Sequence, residues 1–202
     1  MPRRIDHDSR RRRIADAVCL LADERGLEGV TLRDVATRAE VSMGAVQRCF
    51  RTKEEMLVFA LAHVGERITD RVRARLAASP ARSARTSLGH TLTEVSLLAQ
   101  EHRAEARVWL AFVAQAAVTP ALAAVVRGAY DDLRALLAGL IAEAADPPCP
   151  RPEREADALL ALADGLTTHV LIGRLSPEAA LEILDDRLTR LWESERPGTR
   201  RR

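Results

Sequence analysis

Gly26–Lys53, reading GLEGVTLRDVATRAEVSMGAVQRCFRTK, contains two short helix patterns around a tight turn and then the start of a third. Thr31 stands at the N-cap position of the first, with Asp34 three residues on to complete a reciprocal cap. Leu32, Val35, Ala36 and Ala39 fall at inward spacing, and Ala36 is small where two helices would cross. The turn is Ala39-Glu40-Val41. Ser42 offers a second cap, and Val46 and Phe50, four apart, supply the buried stripe of a helix from about Met43 to Cys49. What remains outward on that helix is Met43, Ala45, Gln47 and Arg48. Gln and Arg pair with base edges, and Met43 and Ala45 suit thymine methyls. The stretch reads as a helix-turn-helix whose second helix enters a major groove.

Working outward, Ser9 is positioned to cap a helix over Arg10–Arg25 with Ile14, Val18, Leu21 and Ala22 on one face and Gly26 closing it. Thr52 and Glu55 form a capping box that opens a long helix from Lys53 to about Ala78, ended by Ser79-Pro80. Further helices are predicted over about 82–101, 104–117, 120–145, 153–174 and 177–194. The loop Asp146-Pro147-Pro148-Cys149-Pro150-Arg151-Pro152 continues neither neighbour. The fold class is all-α, with three helices for reading DNA and six in a second domain, and no internal repeat.

Composition agrees. Aromatics make up 3% of the 202 residues, and Ala and Leu dominate, which favours helices over sheet. The net charge of +2 is uneven, with a positive excess in the first 53 residues and a negative one in the remainder. Cys19, Cys49 and Cys149 are an odd, widely spaced set, which suits a reducing cytoplasm and no disulfide framework. The charged N-terminus lacks the apolar segment of a signal peptide. Val108 to Val126 carries no charge, but Thr119-Pro120 interrupts it, so it reads as two buried helix halves and not as a membrane span. The histidines form no His-x-x-x-His or His/Cys cluster, so neither metal nor cofactor is expected. Neither G-x-S-x-G nor H-E-x-x-H is present, which argues against an enzyme.

The same residues resemble the TetR family of one-component bacterial transcriptional regulators. The pattern T-x-R-x-V-A-x-x-A-x-V-S-x-G-x-V then F-x-x-K-x-x-M-L is carried by Thr31, Arg33, Val35, Ala36, Ala39, Val41, Ser42, Gly44, Val46, Phe50, Lys53, Met56 and Leu57. Two departures stand out. Gln47, Arg48 and Cys49 replace the family's usual aromatics before the Phe, leaving Arg48 as the substitute phosphate contact, and Glu40 replaces a common Gly in the turn. The resemblance implies a DNA-binding domain over residues 1–52, an effector-binding and dimerisation domain over 53–195, and a basic tail over 196–202. It implies DNA contacts from Thr31, Arg33, Ser42, Met43, Gly44, Ala45, Gln47, Arg48 and Lys53. Lys53 is the one lysine in the chain, and at a helix N-terminus it opposes the macrodipole, so a DNA phosphate gives the better reason for it.

In this family the last two long helices pair with their copies in a second subunit. Here those are 153–174, with Leu159, Leu162, Ala163, Leu166 and Val170 on one face, and 177–194, with Leu181, Leu184, Leu188 and Leu191. The plainer reading is that these stripes pack on the chain's own core. The arginine run Arg10–Arg13, with Arg3 and Arg4, is either an arm along phosphates or the minor groove, or a solvated helix face. Trp109-x-x-Phe112 resembles a segment of the choline-responsive branch without naming a ligand. Phe59, His63, His90, Trp109, Phe112, Gln115, Tyr130 and His169 are the candidate lining of an effector pocket. The expected function is a dimeric, cytoplasmic repressor that binds a palindromic operator and is released by a small molecule. The alternative is a DNA binder with a vestigial pocket, controlled by a protein partner or acting architecturally.

Overall fold

Thr31 and Ser42 start their helices as their side chains require. Each has an extended backbone, and its hydroxyl accepts the N–H three residues on, from Asp34 and Ala45 respectively. The computed structural model describes residues 2–80, 83–146 and 148–193, with side chains described from residue 7 onward. Among the described residues there are nine α-helices and no strand. They are α1 (Pro2–Arg25), α2 (Leu32–Arg38), α3 (Met43–Cys49), α4 (Lys53–Ala78), α5 (Ala84–Val95), α6 (Arg103–Ala116), α7 (Pro120–Ala144), α8 (Pro152–Leu171) and α9 (Pro177–Glu193), with a 3₁₀ turn over Gln100–His102. The expected basic tail lies outside the described residues, as do the side chains of Arg3 and Arg4.

Two boundaries differ from expectation. α1 begins at Pro2, not after Ser9, because proline is tolerated in a first turn and nothing between it and Arg10 breaks a helix. Ser9 is therefore an exposed residue inside α1 and caps nothing. α5 ends at Val95, where Leu97 takes a left-handed φ of 50°. The Ser96 carbonyl freed by that break lies 2.5 Å from the buried Thr167 hydroxyl of α8.

The chain forms two units. The first comprises residues 1–67 and 104–129, that is α1–α3, the first part of α4, α6 and the start of α7. Ile14, Val18, Leu21, Val30, Val35, Val46, Phe50, Met56, Leu61 and Phe112 are among its buried apolar residues. Fully burying a side chain of that size stabilises by about 1.5–3 kcal/mol. Ion pairs tie its helices together. Arg107 of α6 clasps Asp23 of α1 at 2.5 and 3.1 Å, and Arg38 of α2 clasps Glu24 of α1 at 2.7 Å through both nitrogens.

The second unit comprises residues 68–103 and 130–202. Leu88, Leu92, Leu98, Leu137, Ile141, Leu159, Leu166, Leu184 and Leu191 form its core. Most of the leucines expected to meet a second subunit are thus spent inside the chain, with Leu162, Leu181 and Leu188 only partly buried. The physical reason is local: α5 packs on both α8 and α9 and takes up their apolar stripes. Among their small and apolar residues, α8 and α9 leave Ala158, Ala161, Gly165 and Ile183 outward, with Ile172 exposed at the C-cap of α8. The uncharged run is divided between α6 and α7, and among the described residues no helix is long and apolar enough to cross a membrane.

Candidate DNA-reading site

α2 and α3 are each only 7 residues long, too short to persist alone, so the geometry of the reader depends on caps and packing. Thr31 accepts from the Asp34 N–H at 3.2 Å and donates to the Asp34 carboxylate at 2.7 Å. Arg25 adds an ion pair to the same carboxylate at 3.2 Å. The Thr31 hydroxyl first, and the Arg25 guanidinium after it, hold the Asp34 carboxyl below its ordinary range. α2 ends in a Schellman turn: the Glu40 N–H bonds the Thr37 carbonyl and the Val41 N–H the Ala36 carbonyl. Glu40 is the left-handed residue, at φ 53°, where α8 uses Gly173 at φ 76° for the same job. The departure from glycine seen in the sequence is therefore accepted without altering the turn type, at a cost of roughly 1–2 kcal/mol for the side chain.

On α3 the candidates that stay outward or half-buried are Met43, Gly44, Gln47 and Arg48. Gln47 and Arg48 are exposed, Met43 is 40% exposed, and Gly44 is half-buried. Ala45 is not among them. It is 7% exposed and shares an arc with Val46 and Cys49, because 100° per residue carries position 45 inward with its neighbour four residues later. Of the thymine-methyl candidates only Met43 points out. Cys49, one member of the departing triplet, is buried. A Cβ on Gly44 would meet only the Arg48 guanidinium, at 3.5 Å, so internal packing gives no reason for glycine there. Ser42 is exposed at the start of α3, its Oγ accepting from Ala45 N–H at 3.2 Å.

α4 opens directly after the reader. Thr52 Oγ1 accepts from the Glu55 N–H at 3.0 Å, and Glu55 reaches back to the Arg51 N–H at 2.8 Å, so the expected capping box closes one residue earlier than drawn. Lys53 is the first residue of α4, half-buried, and Glu54 and Glu55 in the same turn offset its unfavourable position in the helix dipole. Arg33 is exposed on α2.

Two members of the arginine run are engaged within the protein. Arg13 donates from Nε and Nη2 to the Ala39 carbonyl at 3.1 and 2.5 Å, and from Nη2 to the Glu40 carbonyl at 3.2 Å. The Arg11 guanidinium lies 4.8 Å from the Phe50 ring centre and 4.4 Å from that of Phe59. Sequence reasoning missed both roles. The signal for Arg13 was the Glu at a left-handed position, which leaves carbonyls in need of a donor.

The eight candidate effector residues are divided. Phe59, His63, Trp109, Phe112 and Gln115 fall in the first unit, and His90, Tyr130 and His169 in the second. Phe59 packs on Phe50 at 5.4 Å, His63 sits 2.9 Å from the Asp16 carboxylate, and Gln115 donates to the Thr119 hydroxyl at 3.0 Å. Trp109 and Phe112 are buried. In the second unit Tyr130 donates to Asp164, Arg174 bonds His169 at 2.8 Å, and the buried His90 Nδ1 has no hydrogen-bond partner among the described residues. A half-open cavity of about 270 Å³ in the first unit is lined by α1, α4 and α6, with Cys19, Leu20, Val64 and Val108 as its apolar surface. None of the eight candidates lines it. Burial pushes the Cys19 thiol up to about 12.

Known proteins share this arrangement. A family model described as "Bacterial regulatory proteins, tetR family" matches residues 14–58, and one described as "BetI-type transcriptional repressor, C-terminal" matches residues 84–193. The HTH-type transcriptional regulator PksA of Bacillus subtilis is 34% identical over 178 residues, covering 85% of this chain and 83% of that protein. The HTH-type transcriptional regulator BetI of Burkholderia thailandensis is 32% identical over 192 residues, covering 92% of this chain and 95% of that one. A transcriptional regulator from Saccharomonospora viridis, solved in complex with choline, superposes with a TM-score of 0.80 at 26% identity, over 90% of this chain and 96% of that one. With both halves of the chain matched, the protein belongs to the TetR family of bacterial transcriptional regulators.

Proposed function

We propose that the chain is a cytoplasmic repressor that recognises a palindromic operator through α3 and releases it when a small organic cation binds. Regulators of this family bind DNA and act as dimers, and their role is regulatory, not enzymatic. The observation that carries the reading is the exposed set Met43, Gln47 and Arg48 on a helix capped by Ser42, with Lys53 opening the next helix. Base edges are met by Gln47 and Arg48, while Thr31, Arg33, Ser42, Gly44 and Lys53 suit the backbone on either side. Two such readers on a twofold axis need half-sites about one helical turn apart.

Dimerisation through α8 and α9 uses, in this proposal, the residues their own core leaves outward. Ala158, Ala161 and Gly165 allow close approach, and Ile172 and Ile183 add apolar area. The functional division stays at residues 52 and 53, with α4 leaving the DNA contact at Lys53 and continuing as far as Ala78. The choline bound to the Saccharomonospora viridis protein supports a cationic effector. Tyr130 beside Asp164 supports it within the second unit, since a ring and a carboxylate together suit an organic cation. Trp109, Phe112 and Gln115 are the corresponding proposal within the first unit.

Selection from random-sequence duplex DNA tests the operator claim. A palindrome bound by a dimer is expected, and recovery of no preferred sequence contradicts it. Thermal shift with choline and related quaternary amines tests the effector, and persistent lack of stabilisation favours a vestigial pocket.

A further inference from the structure

We infer that Arg13 is a positioning residue for DNA reading: it fixes the α2–α3 turn, and through it the angle of α3, without touching DNA. Three observations meet at this side chain. Its guanidinium makes three hydrogen bonds to the carbonyls of Ala39 and Glu40, which close α2. Those carbonyls belong to the negative end of the helix, where a cation is favoured and where no intrahelical donor remains. The turn they form holds Glu40 at φ 53°, a conformation that glycine adopts freely and glutamate does not.

The consequence lies two residues further on. Val41 and Ser42 follow Glu40 directly, and Ser42 is the N-cap of α3. A seven-residue helix has little stiffness of its own, so its direction is set where it is anchored. At its far end Phe50 is buried at 1% exposure beneath Arg11. At its near end the anchor is the turn under Arg13. Arg11 and Arg13 of α1 thus bracket the reading helix, and only a turn fixed at the correct angle presents Gln47 and Arg48 to base edges together.

A phosphate contact and a positioning contact separate cleanly in solution. A phosphate contact supports all sequences alike and contributes to the salt dependence of binding, whereas a positioning contact supports only the preferred sequence. The probes are a duplex selected by the wild-type protein and a random-sequence duplex of equal length, followed by fluorescence anisotropy over a range of salt. Arg13→Gln is expected to weaken the selected duplex on the order of tenfold, leaving the random duplex and the salt slope unchanged. Arg13→Lys is expected to weaken it similarly, because a single ammonium keeps the charge but loses the forked geometry. Glu40→Gly placed in the Arg13→Gln background is expected to recover most of the loss, since glycine holds the turn unaided. That variant also keeps the test open should Arg13→Gln fold poorly. Equal weakening of both duplexes with a reduced salt slope, full activity of Arg13→Lys, or no rescue by Glu40→Gly would each overturn the inference.

Discussion

Replacing Phe50 with alanine removes the residue on which the far end of the reading helix rests. Phe50 is 1% exposed, its ring lies 5.4 Å from that of Phe59 at 52°, and Arg11 sits 4.8 Å from its centre. Truncating a fully buried ring and leaving the hole costs about 3–5 kcal/mol. The aromatic pair, about 0.5–1.5 kcal/mol, and the cation–π contact, about 0.5–1 kcal/mol at a part-exposed arginine, are contained in that figure. For a chain of this size each kcal/mol lowers the melting temperature by about 2–4 °C, so a drop of roughly 6–20 °C is expected. Phe50→Leu keeps apolar volume and should cost under about 1.5–2 kcal/mol. Urea titration followed by circular dichroism at 222 nm measures both. A loss below about 1 kcal/mol for Phe50→Ala would refute the placement of this ring at a packed α3–α4 junction.

Other perturbations have defined outcomes. Ser42→Ala removes the α3 cap and should cost about 1 kcal/mol in a urea melt; no change would mean the cap is dispensable. The Asp34 carboxyl is held below its ordinary range, so its contribution is fully present above the unfolded value of about 4 and is lost as pH falls through the folded one. The gap in melting temperature between wild type and Asp34→Asn should therefore shrink between pH 5 and pH 3, and a constant gap would contradict the assigned partners. Cys19, pushed up to about 12, should react with Ellman's reagent at pH 8 about a thousandfold more slowly than a free thiol when tested as the sole cysteine. A rate near that of free cysteine would show that the thiol is not buried.

The legible parts were those in which the chemistry is local. Thr31 and Ser42 are recognisable as caps because the side chain and the N–H it meets are three residues apart. Val46 and Phe50 are recognisable as buried because a helix repeats in that interval. Ala45 was misplaced because alanine carries no burial signal and a two-turn helix offers too few positions to fix a phase. The stripes of α8 and α9 were read correctly as apolar, but their partner was not in view: Leu159, Leu166, Leu184 and Leu191 are occupied by the unit's own core. Arg13 meets Ala39 26 residues away, and Tyr130 meets Asp164 34 residues away. Contacts of that range have no periodicity to betray them, which is why neither reading of the arginine run, arm or solvated face, includes the Arg13 contact, and why the effector candidates form one group in the sequence.

The central claim is that α3 reads sequence while Lys53 holds the backbone, and paired variants on a selected duplex test it most directly. Gln47→Ala should flatten discrimination at particular base pairs, by about 1–3 kcal/mol each, and leave random-sequence affinity unchanged. Lys53→Ala should weaken every duplex about equally and lower the salt slope by about one. If Gln47→Ala instead lowers affinity for all sequences alike, or Lys53→Ala alters preference at single base pairs, α3 is not the reading helix.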